Sequence, residues 1–309
     1  MDFSTPFTRL LGCRYPLQQA GMGGFTSPDL AVAVSRAGGL GMLSGTIGCA
    51  ALGVQLNSVP VDTPVGVNFL VPFLDGDAVE EAARRSALVE FFWGSPDADL
   101  VAAVHAGGAY AGWQVGSVNE ARAAVDAGCD VVVVQGVEAG GHVRGTTSLL
   151  TLIDAVRAVI DVPLVAAGGI GTGHAMASAL LAGADAVRVG TRFVAATESI
   201  AHPMYVDRLI ESSADDTVIT TAFGDGWPDA PHRVLRSAIA AGEALGTAQS
   251  WSPDWPKTGY IGPVEARALY AGQSVGAVRS RQTAAAIVAE LIDEAETVLS
   301  ASKVLVTRA

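Results

Sequence analysis

The segment Pro163 to Phe193, PLVAAGGIGTGHAMASALLAGADAVRVGTRF, constrains the fold more than any other stretch of the chain. It reads as strand, glycine turn, helix, strand and second glycine turn. The apolar run Pro163 to Ala167 suits a strand buried on both faces, and Gly168-Gly169-Ile170-Gly171-Thr172-Gly173 ends it with little side chain in the way. A helix beginning near Thr172 would aim its positive end at the same point, where glycines let backbone N–H groups approach a ligand closely. Two successive parallel strands with glycine turns at their carboxyl ends match the phosphate site that a β/α barrel forms after its seventh and eighth strands. The GGIG run alone would serve equally as a tight turn; Gly190-Thr191, placed after the next strand, favours phosphate.

The rest of the chain repeats the pattern. A first strand ends at Ala20, before Gly21-Met22-Gly23-Gly24, and Ser27-Pro28-Asp29 opens a helix with serine as its cap and proline at its first position. Strand-like runs follow at Leu40 to Leu43, Pro64 to Phe69, Leu88 to Trp93, Tyr110 to Val115 and Asp130 to Gln135, separated by alanine-rich helical segments near 76–86, 97–106 and 117–127. With the runs ending at Ala167 and Val189, about eight βα units result. That number predicts a closed (β/α)8 TIM barrel rather than an open doubly wound sheet. The regular alternation stops after Ala196. Residues 199–272, rich in aromatic residues and proline, read as a mostly helical cap, with 1–198 and 273–309 forming the barrel and a helix over Ser280 to Leu299 closing it.

Composition narrows the partners. A net charge of −12 would repel nucleic acid and anionic membrane surfaces at long range. The chain has no charge-free apolar run of membrane-spanning length, and its N-terminus lacks a basic region followed by an apolar core, so a soluble, cytoplasmic protein is expected. Cys13, Cys49 and Cys129 are odd in number and far apart, and the histidines at 105, 142, 174, 202 and 232 show no metal-ligand spacing. Reduced, buried thiols and no metal are the expectation.

In a β/α barrel the chemistry collects just beyond the strands' carboxyl ends. There the sequence places Gly21-Met22-Gly23, Asn68, Gln135 with Glu138-Ala139-Gly140-Gly141-His142 after it, and the turns at Gly168-Gly169 and Gly190-Thr191. Asn68 and Gln135 offer both a donor and an acceptor, as the edge of a heterocycle requires. Of the histidines, only His142 stands at such a position, beside glycines that leave space for a ligand.

The motifs QQAGMGG, AGGLGML, VNF, VVVQGVEAGGH, AAGGIGTG, RVGTRFVAATES with AHPMY after it, and LYAGQSVG resemble, in order, those of the nitronate monooxygenase (2-nitropropane dioxygenase) family, from about residue 7 to residue 295. The resemblance implies an FMN-dependent β/α barrel. By position, the turn at Met22 would lie against the flavin ring, Asn68 and Gln135 would hydrogen-bond the cofactor, and Gly140 would sit beside it. Gly169 and Arg188-Val189-Gly190-Thr191 would bind the FMN phosphate, and His142 would be the active-site histidine. The chain departs from many relatives in a short segment, Val143 to Thr147, after the histidine, and in Val206 where a lysine often follows the AHPxY tyrosine.

The activity so implied is oxidation of an alkyl nitronate with O2, giving a carbonyl compound and nitrite, with His142 hydrogen-bonding the anion or acting as a base toward a neutral nitroalkane. The alternative within the superfamily is an NAD(P)H-dependent FMN reductase acting on a quinone or an enoyl thioester. A flavin-free sugar-phosphate enzyme would need a lysine or a carboxylate pair on the rim, and the two lysines, Lys257 and Lys303, lie away from the strand ends. A non-catalytic flavin-binding protein stays open from sequence. So do two roles for the aromatic cap, closure over a ligand or contact within a homodimer.

Overall fold

The computed structural model describes residues 2–224, 226–246 and 256–306. Helix α1 (Pro6–Leu11) comes first, capped by Thr5 and ended at Gly12 in the left-handed region. Then β1 (Leu17–Gln19), α2 (Pro28–Arg36), β2 (Gly41–Ser44), α3 (Cys49–Asn57), β3 (Val65–Leu70), α4 (Gly76–Arg85), β4 (Leu88–Phe92), α5 (Ala98–Gly107), β5 (Tyr110–Val115), α6 (Val118–Asp126) and β6 (Val131–Gln135) alternate as strand and helix. A two-residue strand outside the barrel, β7 (Gly141–His142), precedes α7 (Leu149–Arg157). The alternation resumes with β8 (Leu164–Ala167), α8 (Gly173–Leu181), β9 (Ala186–Val189) and the short α9 (Thr191–Val194).

All eight barrel strands are parallel, in the order β1-β9-β8-β6-β5-β4-β3-β2. A parallel bridge between Gln18 and Leu40, with Gln19 N donating to Leu40 O at 2.9 Å, joins the two ends of that order. The (β/α)8 barrel expected from the number of units is therefore present. Its strands read as near-continuous apolar runs because both faces are covered, one by helices and one by the barrel interior. Phe7 and Leu11 of α1 pack with Leu40, Leu88, Val131, Val133 and Val165, filling the barrel beneath the strand carboxyl ends. Ser27 caps α2 by accepting from Leu30 N, as its place before Pro28 predicts.

Beyond the barrel come α10 (Pro203–Ile210), β10 (Thr217–Thr220), β11 (His232–Leu235) and α11 (Arg236–Ala244), and the last helix, α12 (Ala284–Val306), packs on α8 and α2. The expected helical cap therefore also contains strands: β10, β11 and β7 form a small antiparallel sheet. Phe25, Tyr205, Leu209, Phe223, Leu235, Leu269 and Val275 make a second apolar cluster under it. Trp251 and Trp255 lie outside the described residues. The three cysteines are unpaired; Cys129 is buried, whereas Cys13 and Cys49 are only partly so. Among the described residues, no helix is long and apolar enough to cross a membrane.

Candidate active site

A cleft opens at the carboxyl ends of the barrel strands. Gly21, Met22, Gly23, Asn68, Gln135, Gly140, Gly141, His142, Gly168, Gly169, Arg188, Gly190 and Thr191 all line it. Val189 does not: it is fully buried in β9, paired with Gln19 of β1. The wall also takes in Ser44, Phe92, Gln114, Tyr205, Tyr270 and Ser274, which strand-end reasoning passed over.

Arg188 has a different surrounding from the one its motif suggests. Its guanidinium turns into the barrel, donating from Nε and Nη2 to Gln18 Oε1 at 3.2 and 2.9 Å and from Nη1 to Gln114 Oε1 at 2.6 Å, and it pairs directly with Glu90. Glu90 also accepts from Asn68 Nδ2 at 2.8 Å. Asn68, Gln114 and Arg188 of this layer line the cavity, and Gln18 and Glu90 lie behind them. Gln135 is likewise occupied: its Nε2 donates to His142 O at 2.8 Å and its Oε1 accepts from Arg144 N at 3.2 Å, which fixes the path of the chain through His142.

The glycine turns form another part of the wall. Gly168 and Gly169 have φ of 113° and 70°, a region that costs other residues strain, and both line the cavity. Thr172 caps α8 as the sequence predicts. The helix start nonetheless serves a different partner: Gly173 N donates to Glu294 of α12 at 2.8 Å, and neither Thr172 nor Gly173 lines the cleft. Arg192, next to the second turn, is buried and bonds Gly171 O at 2.8 Å, Gln282 at 2.8 Å and Glu290 at 3.0 Å. Thr191 Oγ1 accepts from Gly272 N at 3.0 Å. A Cβ on Gly140 would lie 2.4 Å from that same Gly272 N, so a glycine at 140 lets the 270–274 segment approach.

His142 is placed by β7, whose register pairs it with His232 of β11. Its ring lies 4.0 Å from that of Trp227, 5.1 Å from His232, 5.6 Å from Trp93 and 5.8 Å from Tyr270, centroid to centroid. Trp93 reaches this box with φ of 66°, a left-handed conformation uncommon for a bulky residue. Burial, and secondarily the charge of a protonated His232, push the His142 pKa from 6.5 down to about 3. The imidazole is therefore neutral at pH 7.

Known proteins resemble this chain along its length. It is 37% identical over 246 residues to a (3aS,4S,5R,7aS)-5-hydroxy-7a-methyl-1-oxo-octahydro-1H-indene-4-carboxyl-CoA dehydrogenase of Mycobacterium tuberculosis, covering 77% of this chain and 68% of that one. It is 34% identical over 288 residues to a nitronate monooxygenase of Pseudomonas aeruginosa, covering 76% and 82%. Among solved structures, FabK from Thermotoga maritima superposes with a TM-score of 0.87 at 30% identity, over 97% and 98% of the two chains. A nitroalkane oxidase from Streptomyces ansochromogenes does so with a TM-score of 0.81 at 29% identity, over 96% and 99%. The family model for nitronate monooxygenase matches residues 4–87 and 75–294, most of the barrel and its cap, and the chain therefore belongs to that family of oxidoreductases.

Proposed function

We propose that this oxidoreductase holds FMN in the barrel-mouth cleft and oxidises alkyl nitronates, with O2 as electron acceptor and a carbonyl compound and nitrite as products. The residues present suit the cofactor. Glycine turns at Gly168-Gly169 and Gly190-Thr191 suit a phosphate, and the carboxamides of Asn68 and Gln114 lining the cavity suit a heterocycle edge. When bound, FMN would supply the two-electron redox step, and the chain's own residues would supply binding and orientation.

The observation that carries the substrate assignment is the neutral imidazole of His142 in its box of Trp227, Trp93, His232 and Tyr270. A base with a pKa pushed down to about 3 is poorly matched to pulling a proton from a neutral nitroalkane near pH 7. It remains a good hydrogen-bond donor through its N–H, so a substrate that arrives already as an anion fits it better. His142 would donate to a nitronate oxygen, and Gln135 would hold it in place through the backbone at 142 and 144. The apolar lining from Met22, Leu70, Phe92 and Val194 would take the alkyl group and limit water.

Anaerobic absorbance titration of the purified protein tests this reading. Propionate 3-nitronate should bleach the flavin while NADH and NADPH leave it oxidised, and in air the same nitronate should give nitrite. Bleaching by a pyridine nucleotide alone would move the protein to the reductase branch, with a quinone or an enoyl thioester as the acceptor to try. His142→Asn should keep its flavin and lose turnover; wild-type turnover in that variant would refute the role of His142.

A further inference from the structure

Five polar side chains, Gln18, Asn68, Glu90, Gln114 and Arg188, each more than nine-tenths buried, form one layer at the cavity, which Asn68, Gln114 and Arg188 line and Gln18 and Glu90 back from within the barrel. A charged layer inside a barrel is costly to desolvate, and apolar residues of similar volume would often be as stable there. Its chemistry gives it a further use. A carboxylate only accepts hydrogen bonds and a guanidinium only donates them. Such one-way partners fix which end of a carboxamide faces them.

Asn68 of β3 stands in register with Glu90 of β4 and meets Glu90 Oε1 at 2.8 Å. Only its NH2 can do so, which leaves Oδ1 for the cavity that Asn68 lines. Gln114 of β5 meets Arg188 Nη1 at 2.6 Å. Only its oxygen can do so, which leaves its NH2 for the same cavity. The ion pair between Glu90 and Arg188 thus turns two similar amides in opposite senses.

We propose that Glu90 and Arg188 are positioning residues that present Asn68 as an acceptor and Gln114 as a donor, and that this pair of amides reads the imide edge, –CO–NH–CO–, of the flavin ring. The assignment rests on the flavin reading given above and adds to it the residues that set the hydrogen-bond polarity of the ring site. An imide edge offers one donor flanked by acceptors, so an acceptor and a donor on the protein complement it. Either amide turned around would set like against like.

The test is a fluorescence titration of the full chain, freed of flavin, with FMN and with N3-methyl-FMN, whose imide donor is blocked. Wild type should bind FMN at least tenfold more tightly than the methylated analogue. Gln114→Glu retains an acceptor for Arg188, so its melting temperature should hold. It replaces the cavity's donor by an acceptor, so its FMN affinity should fall tenfold or more. Glu90→Gln gives Asn68 a partner that accepts either end of its amide, and discrimination between the two flavins should shrink below threefold. An equal loss for both flavins would mark mere structural damage and overturn the proposal. So would an FMN affinity within twofold of wild type in Gln114→Glu, or undiminished discrimination in Glu90→Gln. If Glu90→Gln does not fold, Gln114→Glu still decides. Wild-type protein that binds neither flavin would overturn the flavin reading itself, a result distinct from any of these.

Discussion

Replacing His142 by glutamine should make the protein less sensitive to acid, by an amount the structure sets. The unfolded chain takes up a proton at this histidine near 6.5, whereas the folded chain resists until about 3, because burial and His232 oppose the charge. Between those limits the unfolded state holds more protons, so stability present at neutral pH is lost as the pH falls. Each unit of separation is worth about 1.4 kcal/mol, so acidification from pH 7 to pH 5 should cost the wild type about 2 kcal/mol through this one group. Glutamine does not titrate, and every other group is common to the two proteins. Urea denaturation of both flavin-free forms at pH 7, 6 and 5 measures the difference, and working without flavin removes any contribution from ligand binding. The free-energy gap between wild type and variant should change by about 2 kcal/mol over that range, in favour of the variant at low pH. Parallel curves would mean that His142 is as easily protonated in the fold as in water, and the argument for an anionic substrate would fall with them.

Three further outcomes follow from packing. Gly140→Ala places a methyl group 2.4 Å from Gly272 N, so the 270–274 wall must move; a lower melting temperature together with weakened flavin binding is expected, and unchanged values for both would refute the contact. Phe7→Ala should cost about 3–5 kcal/mol in chemical denaturation, because Phe7 is fully buried in an apolar cluster with Leu11, Leu40 and Leu88, and an unchanged urea midpoint would refute it. Glu294→Ala removes the acceptor for Gly173 N at the start of α8 and should cost about 1 kcal/mol, read as a shift in the urea midpoint; no shift would mean that water caps the helix equally well.

The barrel was legible because a parallel strand covered on both faces has few ways to be written. Val131 to Val134 and Leu164 to Ala167 could hardly be anything else, and the glycine turns mark where each strand stops. The strands of the cap were not legible. β10 and β11 are four residues each, one carrying two threonines and the other a histidine and an arginine, and β7 exists only because His232 and Arg233 come alongside it. Period-two patterning needs more length than that to be visible. The rim residues could be collected from strand ends, yet the direction of a side chain could not. Arg188 sits in the phosphate-like motif but belongs to the barrel interior, where β1 brings Gln18 alongside it. A signal for that layer was present: Glu90 and Arg188 are single charges inside otherwise apolar strands, and a charge so placed implies a partner of opposite sign on another strand. Val189, the motif neighbour of Arg188, has a side chain buried away from the cleft, a direction that strand-end position does not reveal.

The clamp that Arg192, Glu290 and Glu294 make between the glycine turns and α12 has a consequence for how the protein is born. Gly171 and Gly173 are held by groups more than a hundred residues later in the chain, or by an arginine that those groups hold in turn. A nascent chain that has not yet delivered α12 therefore has strands, turns and rim residues but not the contacts that fix the turn after β8. Folding in chain order builds the barrel strands first, and the turn after β8 is fixed only once α12 has emerged. Fixing of that turn is then coupled to the docking of one helix rather than to the closing of the barrel.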